Sequence, residues 1–201
     1  MNSHYFYEYV ELLERVLSLA YQNKYSTKMV EHVISYSSFF QKIEKEKNEY
    51  ASIIDDISLI KSLFNEDNID LSSIPTFNQC LWAAESYLYI QKETRLSFEA
   101  IFLYIPIEMM YQYFPLYHEM DFSQIVEEFK RLYKKRSVLD ILLSNYNYSV
   151  KYIAEKINIS YDTLYSYKQR RRDIKKMSAD SAYLLANIFK TRIETILELR
   201  L

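Results

Sequence analysis

Residues 149–168 read SVKYIAEKINISYDTLYSYK, and this stretch decides the fold of the C-terminal part of the chain. Its first half predicts a short amphipathic helix, whose apolar positions are Tyr152, Ile153, Ala154 and Ile157. Ser149 is placed to cap this helix, because a serine oxygen accepts a hydrogen bond from an unpaired amide of the first turn. Asn158 is placed at a tight turn: the chain contains no glycine, and asparagine tolerates the left-handed backbone. Ser160 then caps a second helix, so the stretch predicts a helix-turn-helix unit.

With its neighbours, this unit resembles the lambda-repressor-like (Cro/C1, or XRE) family of DNA-binding domains over residues 138–199. Ala154 stands where the family has a small helix-packing residue, and residues 159–164 match the family's hydrophobic-Ser-x-x-Thr-hydrophobic run. Val150 and Arg170 depart from the family, in which Gln and Gly are common at these positions. The resemblance implies five short helices, over residues 138–146, 150–157, 161–168, 179–189 and 192–199. It leaves the N-terminal part of the chain unassigned.

The resemblance also implies that residues 161–168 form the recognition helix, which enters the major groove of duplex DNA. Leu164 and Tyr167 are placed to face the core, and the opposite face carries polar and tyrosine side chains. A basic run follows and suits contact with DNA phosphates. The residues that we expect at the DNA interface are Ser149, Ser160, Tyr161, Asp162, Thr163, Tyr165, Ser166, Lys168, Arg170, Arg171, Arg172, Lys175 and Lys176.

Each part of this interpretation has a simpler alternative. A plain helical hairpin explains the spacing of the capping residues, although it does not explain the basic run. The basic run alone is also typical of a solvated loop. Asp162 can accept a hydrogen bond from cytosine, or it can cap its helix and stabilise the helix dipole.

Composition predicts an all-α protein. Hydrophobic residues make up 49% of the chain, which excludes a disordered tail. The absence of glycine excludes Rossmann and P-loop phosphate sites, because both need glycine where the backbone approaches phosphate. It also argues against a β protein, since tight hairpin turns need positive φ angles.

The charge is distributed unevenly and predicts two functional parts. Residues 1–129 contain 9 Lys and Arg against 20 Asp and Glu, a net charge of −11. Residues 130–201 contain 16 against 7, a net charge of +9. We therefore expect a helical N-terminal domain over residues 1–136, acidic and rich in aromatic residues, and the helix-turn-helix domain over residues 137–201.

Helical periodicity covers most of the predicted N-terminal domain. A first helix is predicted over residues 4–23, with an apolar stripe formed by Tyr9, Leu13, Val16, Leu17 and Ala20. A second stripe runs from Met29 to Phe64, as one helix or as two with a break near Asn48.

Local signals predict where two later helices begin and end. Thr76 and Gln79 have the spacing of a capping box at the start of a helix. Pro106 predicts the start of another helix and Pro115 its end, because proline has no amide hydrogen to donate inside a helix.

Catalysis has little support in the sequence. Cys80 is the only cysteine, so a multi-cysteine zinc site is excluded, and the three histidines form no spaced ligand pair. His118 and Glu119 are the one catalytic candidate, and exposed polar residues explain them better. We expect no enzyme activity, no cofactor and no metal. Without a signal peptide or an apolar run long enough for a bilayer, we expect a cytoplasmic protein without membrane contact.

These features predict a transcriptional regulator, most simply a repressor, that reads an inverted repeat as a homodimer. The aromatic stretch over residues 104–117 is our preferred dimer surface, and the apolar final helix over residues 192–199 is the other candidate. Two alternatives stay open. One is an antitoxin whose N-terminal domain binds a toxin while the C-terminal domain autoregulates. The other is a mobile-element inhibitor, such as an anti-CRISPR protein, that binds a nucleoprotein.

Overall fold

The computed structural model of the protein describes residues 3–45 and 77–201. Within these ranges the regular structure is helical, and no β-strand is present. The prediction of an all-α fold is therefore confirmed. No helix in the described ranges is both long enough and apolar enough to cross a bilayer.

The chain divides into two compact units. The N-terminal unit comprises residues 1–127 together with Leu201, and the C-terminal unit comprises residues 128–200. The division falls within helix α7 (Phe122–Lys135), whereas the sequence predicts a boundary after residue 136. The described helices that precede α7 are α1 (Ser3–Gln22), α2 (Thr27–Tyr36), α3 (Ser38–Glu44), α4 (Asn78–Thr94), α5 (Phe98–Tyr104) and α6 (Ile107–Tyr117).

The core of the N-terminal unit lies where α1 packs against α4. The apolar stripe predicted for the first helix is buried at every position: Tyr9, Leu13, Val16, Leu17 and Ala20. From α4, Tyr87 and Leu88 are fully enclosed, and the Tyr87 hydroxyl donates to the carbonyl of Ile105 at 2.9 Å. A buried tyrosine thus keeps its polar end satisfied while its ring fills the core.

The chain between residues 27 and 44 forms two helices, and the break lies at Ser37. This residue is extended, with φ −63° and ψ 128°. Its hydroxyl oxygen accepts from the amide of Phe39 at 3.2 Å, so Ser37 ends α2 and caps α3. The break considered near Asn48, and residues 46–64 as a whole, lie outside the described residues.

Of the two helix ends predicted from proline, the structure confirms the start of α6 but not its end. Pro106 is the N-cap residue of α6, as predicted. The predicted end at Pro115 is wrong, because this proline lies inside α6. Proline leaves the carbonyl four residues earlier, that of Tyr111, without its helical donor. The Gln79 side chain donates to this carbonyl at 3.0 Å and so satisfies it.

The C-terminal unit contains five further α-helices after α7. They are α8 (Val138–Asn145), α9 (Val150–Lys156), α10 (Tyr161–Lys168), α11 (Ala179–Phe189) and α12 (Ile193–Ile196), and a 3₁₀ turn (Ile174–Lys176) lies between α10 and α11. The bounds of α10 and α11 are those that the resemblance implies. Each of the five helices buries apolar side chains, among them Leu142, Ile153, Leu164, Leu185 and Ile196.

Several helices end at residues with positive φ, although the chain has no glycine. The described residues with this conformation are Lys24, Arg95, Asn147, Asn158, Arg170, Lys190 and Glu198. Asn158 has φ 53°, which confirms the predicted turn. Five of these seven residues are Lys, Arg or Glu, for which the left-handed conformation costs about 1 kcal/mol or more. The surrounding packing must offset that cost.

Candidate nucleic-acid interface

Serine side chains fix the start of both helices of the predicted helix-turn-helix unit. The Ser149 oxygen accepts from the amide of Tyr152 at 3.1 Å. The Ser160 oxygen accepts from the amide of Thr163 at 3.2 Å, and its hydroxyl donates to the Thr163 side-chain oxygen at 2.8 Å. Both predicted caps are therefore confirmed, and both serines are engaged inside the unit.

The second helix of this unit, α10, has a buried and an outward face. Leu164 is fully buried and Tyr167 nearly so, as predicted. Tyr161 is exposed, and its ring stacks on that of Tyr165, with centroids 5.7 Å apart and planes inclined by 13°. The outward face thus presents a pair of parallel tyrosine rings.

Two polar residues accompany these rings on α10. Asp162 is exposed, and Ser166 is half-buried. The Ser166 hydroxyl donates to the backbone carbonyl of Asp162 at 2.6 Å, so its oxygen still has room to accept a hydrogen bond. The two residues offer a carboxylate and a hydroxyl to anything that contacts the face.

Lys168, at the end of α10, is tied to α8. Its ammonium lies 3.1 Å from an Asp140 carboxylate oxygen, and the Arg136 guanidinium lies 2.5 Å from the other oxygen. The Ser137 hydroxyl donates to the carbonyl of Lys168 at 2.7 Å. Burial raises the pKa of Asp140, but the hydrogen bonds from Arg136 and Lys168 outweigh it and hold this pKa below its ordinary value. Lys168 therefore helps to hold α10 in place.

Arg170 is paired with the carboxylate of Glu198. Its guanidinium donates to a Glu198 oxygen at 2.8 Å and lies 4.1 Å from the centre of the Tyr133 ring. The Tyr133 hydroxyl donates to the same Glu198 oxygen at 2.5 Å, and the amide of Val138 donates to the other at 2.9 Å. Glu198 is 7% exposed, so this carboxylate is buried with three donors around it.

We call this cluster of Tyr133, Val138, Arg170 and Glu198 the Glu198 network. It joins the end of α7, the start of α8, the segment after α10 and the chain beyond α12. Burial, and then the hydrogen bond to Glu198, raise the pKa of Tyr133 to about 12, so the phenol stays a donor at neutral pH. Sequence reasoning missed Tyr133 and Glu198, which lie far apart in the chain.

Four further cations follow Arg170 in the basic run, and all are exposed: Arg171, Arg172, Lys175 and Lys176. The Arg171 guanidinium lies 6.0 Å from the centre of the Tyr165 ring. The Arg172 guanidinium donates to the Thr163 hydroxyl at 3.3 Å. Both arginines therefore stand beside the outward face of α10 and remain accessible from solvent.

The two lysines stand on the 3₁₀ turn that follows. An Asp173 carboxylate oxygen accepts from the amide of Lys175 at 3.1 Å and caps this turn. Asp173 is therefore a structural residue and places Lys175 and Lys176 on the surface. Together with Arg171 and Arg172, they form what we call the outer cations.

One predicted core position of α9 is wrong. Tyr152 is 44% exposed, and its ring lies 5.4 Å from that of Tyr148. Tyr148 in turn lies 5.8 Å from Tyr146, and the Lys156 ammonium lies 5.5 Å from the Tyr152 ring centre. The predicted core position followed from treating tyrosine as an apolar residue. The hydroxyl group of tyrosine also allows the side chain to remain at the surface, as Tyr152 does.

The two candidate dimer surfaces differ from expectation in their exposed residues. In the preferred stretch, residues 104–117, Tyr104 is buried and Leu116 is exposed. Met120, three residues after the end of this stretch, is also exposed. In the final helix, Ile196 closes the core and Ile193 is 37% exposed. Each surface therefore offers fewer exposed apolar groups than the sequence indicates.

The catalytic candidate shows no organised site. The His118 ring lies 3.7 Å from an oxygen of the highly exposed Glu119, and its other nitrogen lies 2.8 Å from the carbonyl of Phe114. Cys80 is buried, and burial raises the pKa of its thiol. Within residues 3–45 and 77–201, no group of three or more acidic, histidine or cysteine side chains is arranged to hold a metal.

Comparison with known proteins identifies no relative. No protein-family model, no curated protein and no solved structure matches the chain. The function proposed below therefore rests on the sequence pattern and on the geometry of the C-terminal unit.

Proposed function

We propose that the protein is a sequence-specific DNA-binding regulator, and that it represses transcription as a dimer bound to an inverted repeat. The observation that carries the proposal is the outward face of α10, flanked by the outer cations. A helix that presents polar and aromatic groups beside several exposed cations has the chemistry to contact base edges and phosphates together.

The two groups of residues have different roles in this proposal. Tyr161, Asp162 and Ser166 contact base edges, because a carboxylate, a hydroxyl and a ring edge each distinguish between bases in the major groove. The outer cations contact phosphates, which fixes the position of the helix without reading the sequence.

Dimerisation follows from the size of the contact. A single recognition helix reads only a few base pairs, which is too few to distinguish one site from the rest of a genome. Proteins that use one such helix per subunit reach adequate specificity as two-fold dimers, whose half-sites lie about one helical turn apart. An inverted repeat is therefore the expected operator.

Selection of bound duplexes from a random-sequence DNA pool by the full chain tests the proposal. We expect an inverted repeat to be enriched. Tyr161→Ala and Ser166→Ala should change the preferred bases, since a lost base contact costs about 1–3 kcal/mol at one position. Tyr183→Ala is the matched control, because Tyr183 is an exposed tyrosine of α11 outside the proposed interface.

The outcomes separate the parts of the proposal. Enrichment of a single half-site would remove the dimer and keep the DNA contact. Enrichment of the same sequence by all variants would show that α10 does not read bases. Recovery of the starting pool unchanged would contradict sequence-specific binding altogether.

A further inference from the structure

A cavity of about 380 Å³ opens in the N-terminal unit where three helices meet at their ends. It lies at the end of α1 and the beginnings of α2 and α6. The described residues that line it are Leu17, Ala20, Tyr21, Lys24, Tyr25, Thr27, Val30, Ile107 and Tyr111. A cavity of this size falls in the range of small-molecule sites.

The inner wall of the cavity is apolar. Leu17, Ala20, Val30 and Ile107 are each at most 5% exposed as residues of the core, and they supply only hydrocarbon surface. An apolar wall favours the burial of a hydrocarbon or aromatic group, because each square ångström removed from water contributes about 25 cal/mol. The body of the ligand must therefore be apolar.

Tyrosine rings form the sides of the cavity. Tyr21 and Tyr111 meet edge to face, with centroids 6.3 Å apart, and Tyr21 also lies 5.0 Å from the ring of Phe77. Aromatic pairs in this geometry leave ring faces and edges available to a further ring. This wall favours an aromatic group over a flexible alkyl chain.

Tyr111 adds no negative charge to the cavity. Burial raises the pKa of Tyr111 well above the ordinary value for a phenol, so the side chain is neutral at physiological pH. Its hydroxyl lies 3.6 Å from the Cys80 sulfur, inside the unit. It is therefore a neutral part of the wall.

Lys24 is the only charged residue among the described lining residues, and it is exposed at the rim. Two carboxylates stand close to the cavity without lining it. Glu108 accepts from the Thr27 hydroxyl at 3.0 Å, and Glu31 accepts from the amide of Ile107 at 2.8 Å. Each accepts a hydrogen bond from an uncharged donor of the protein and neither lines the cavity, so Lys24 is the charged residue at its rim.

We propose that this cavity binds a small aromatic carboxylate, with its ring against the tyrosines and its carboxylate at Lys24. A single cation at the rim matches one negative charge better than the several charges of a polyanion such as a nucleotide. The cavity belongs to the N-terminal unit, and its assignment does not depend on DNA binding.

Calorimetric titration of the full chain with three naphthalene derivatives of one shape tests the assignment. The probes are 2-naphthoate, the neutral 2-naphthalenemethanol and the cationic 2-naphthylmethylammonium. We expect 2-naphthoate to bind about threefold to fivefold tighter than the alcohol, the range of a partly exposed ion pair, and the ammonium to bind weakest.

Two variants test separately the cation at the rim and the apolar interior of the cavity. Lys24→Asn removes the charge and keeps a side chain that tolerates the positive φ of 54° at this position. We expect it to make 2-naphthoate and the alcohol bind equally, while the control Lys28→Asn, at an exposed lysine of α2 outside the cavity, preserves the preference. Ala20→Leu fills the cavity and should abolish binding of all three probes, with folding checked by circular dichroism.

The proposal is overturned if no probe binds the full chain, or if the ammonium binds as tightly as the carboxylate. A preference for 2-naphthoate that survives in Lys24→Asn would also overturn it. Because Lys24 is exposed, that variant remains informative even if Ala20→Leu does not fold.

Discussion

The two ends of the basic run differ in what their cations do. Lys168 and Arg170 each form an ion pair with a carboxylate of the C-terminal unit, that of Asp140 and that of Glu198. The outer cations, which follow them directly in the chain, are exposed. A run of basic residues that reads as one patch in the sequence is thus divided into a structural part and an accessible part. The position of a cation relative to the carboxylates of Asp140 and Glu198, rather than its type, decides which part it joins.

The largest expected effect is on the stability of the fold and concerns Glu198, the partner of Arg170. Glu198→Gln should lower the free energy of unfolding by about 2–3 kcal/mol, because it removes the charge that compensates the partly buried Arg170 and weakens two further hydrogen bonds. Glutamine has the same size as glutamate. The energetic cost of the positive φ at this position is also the same for both residues, so it does not contribute to the difference. Urea denaturation measures the loss, and Glu155→Gln, on the exposed surface of α9, should change stability by less than about 0.5 kcal/mol. Equal effects of the two substitutions would show that the Glu198 network does not stabilise the unit.

A second prediction separates the backbone of Arg170 from its side chain. Arg170 has φ 54°, a conformation that glycine adopts without cost and alanine does not. Arg170→Gly and Arg170→Ala both remove the guanidinium, so both should destabilise the protein relative to the native chain. The glycine variant should retain about 1 kcal/mol more stability than the alanine variant in the same denaturation experiment. Equal stabilities would mean that the turn relaxes when the network is lost.

The smallest expected effect concerns Lys168 and its partner Asp140. The folded-state pKa of Asp140 is lowered, so the charged form stabilises the fold, and this contribution is lost as the pH falls below about 4. Asp140→Asn should therefore cost less than about 1 kcal/mol at pH 7, and the difference from the native chain should shrink on acidification. A difference in the free energy of unfolding that stays constant down to pH 2 would contradict the role of the Asp140 charge.

Local signals in the sequence predicted the parts of the fold that depend on neighbouring residues. Capping by Ser149 and Ser160 and the turn at Asn158 are confirmed, because each depends on a hydrogen bond or a φ angle within a few residues. The first core stripe needed only the helical period. The second stripe is wrong within α2, where Met29 and Tyr36 are exposed and Val30 and Ile34 are buried instead. The positive φ of Arg170 was indicated only by the resemblance of residues 138–199 to a known family, in which glycine is common at this position.

Tertiary contacts account for what the sequence did not predict. Gln79 was expected in a capping box with Thr76, but its side chain donates to Tyr111, and Phe77 occupies the N-cap position of α4 without a side-chain cap bond. Thr76 lies outside the described residues. The same contact lets Pro115 remain inside α6. The Glu198 network and the cavity likewise join residues from several helices, and no local pattern marks them.

Duplex DNA affinity as a function of salt concentration tests the central claim most directly. The full chain is compared with Arg171→Ala/Arg172→Ala and with Lys134→Ala/Lys135→Ala, which removes two exposed cations from α7 instead. With four outer cations on each subunit of a dimer, we expect log K to fall with log salt with a slope of about −7. The arginine variant should flatten the slope to about −4, and the lysine variant should leave it unchanged. Absence of DNA binding at low salt, or equal slopes for the two double variants, would contradict the account.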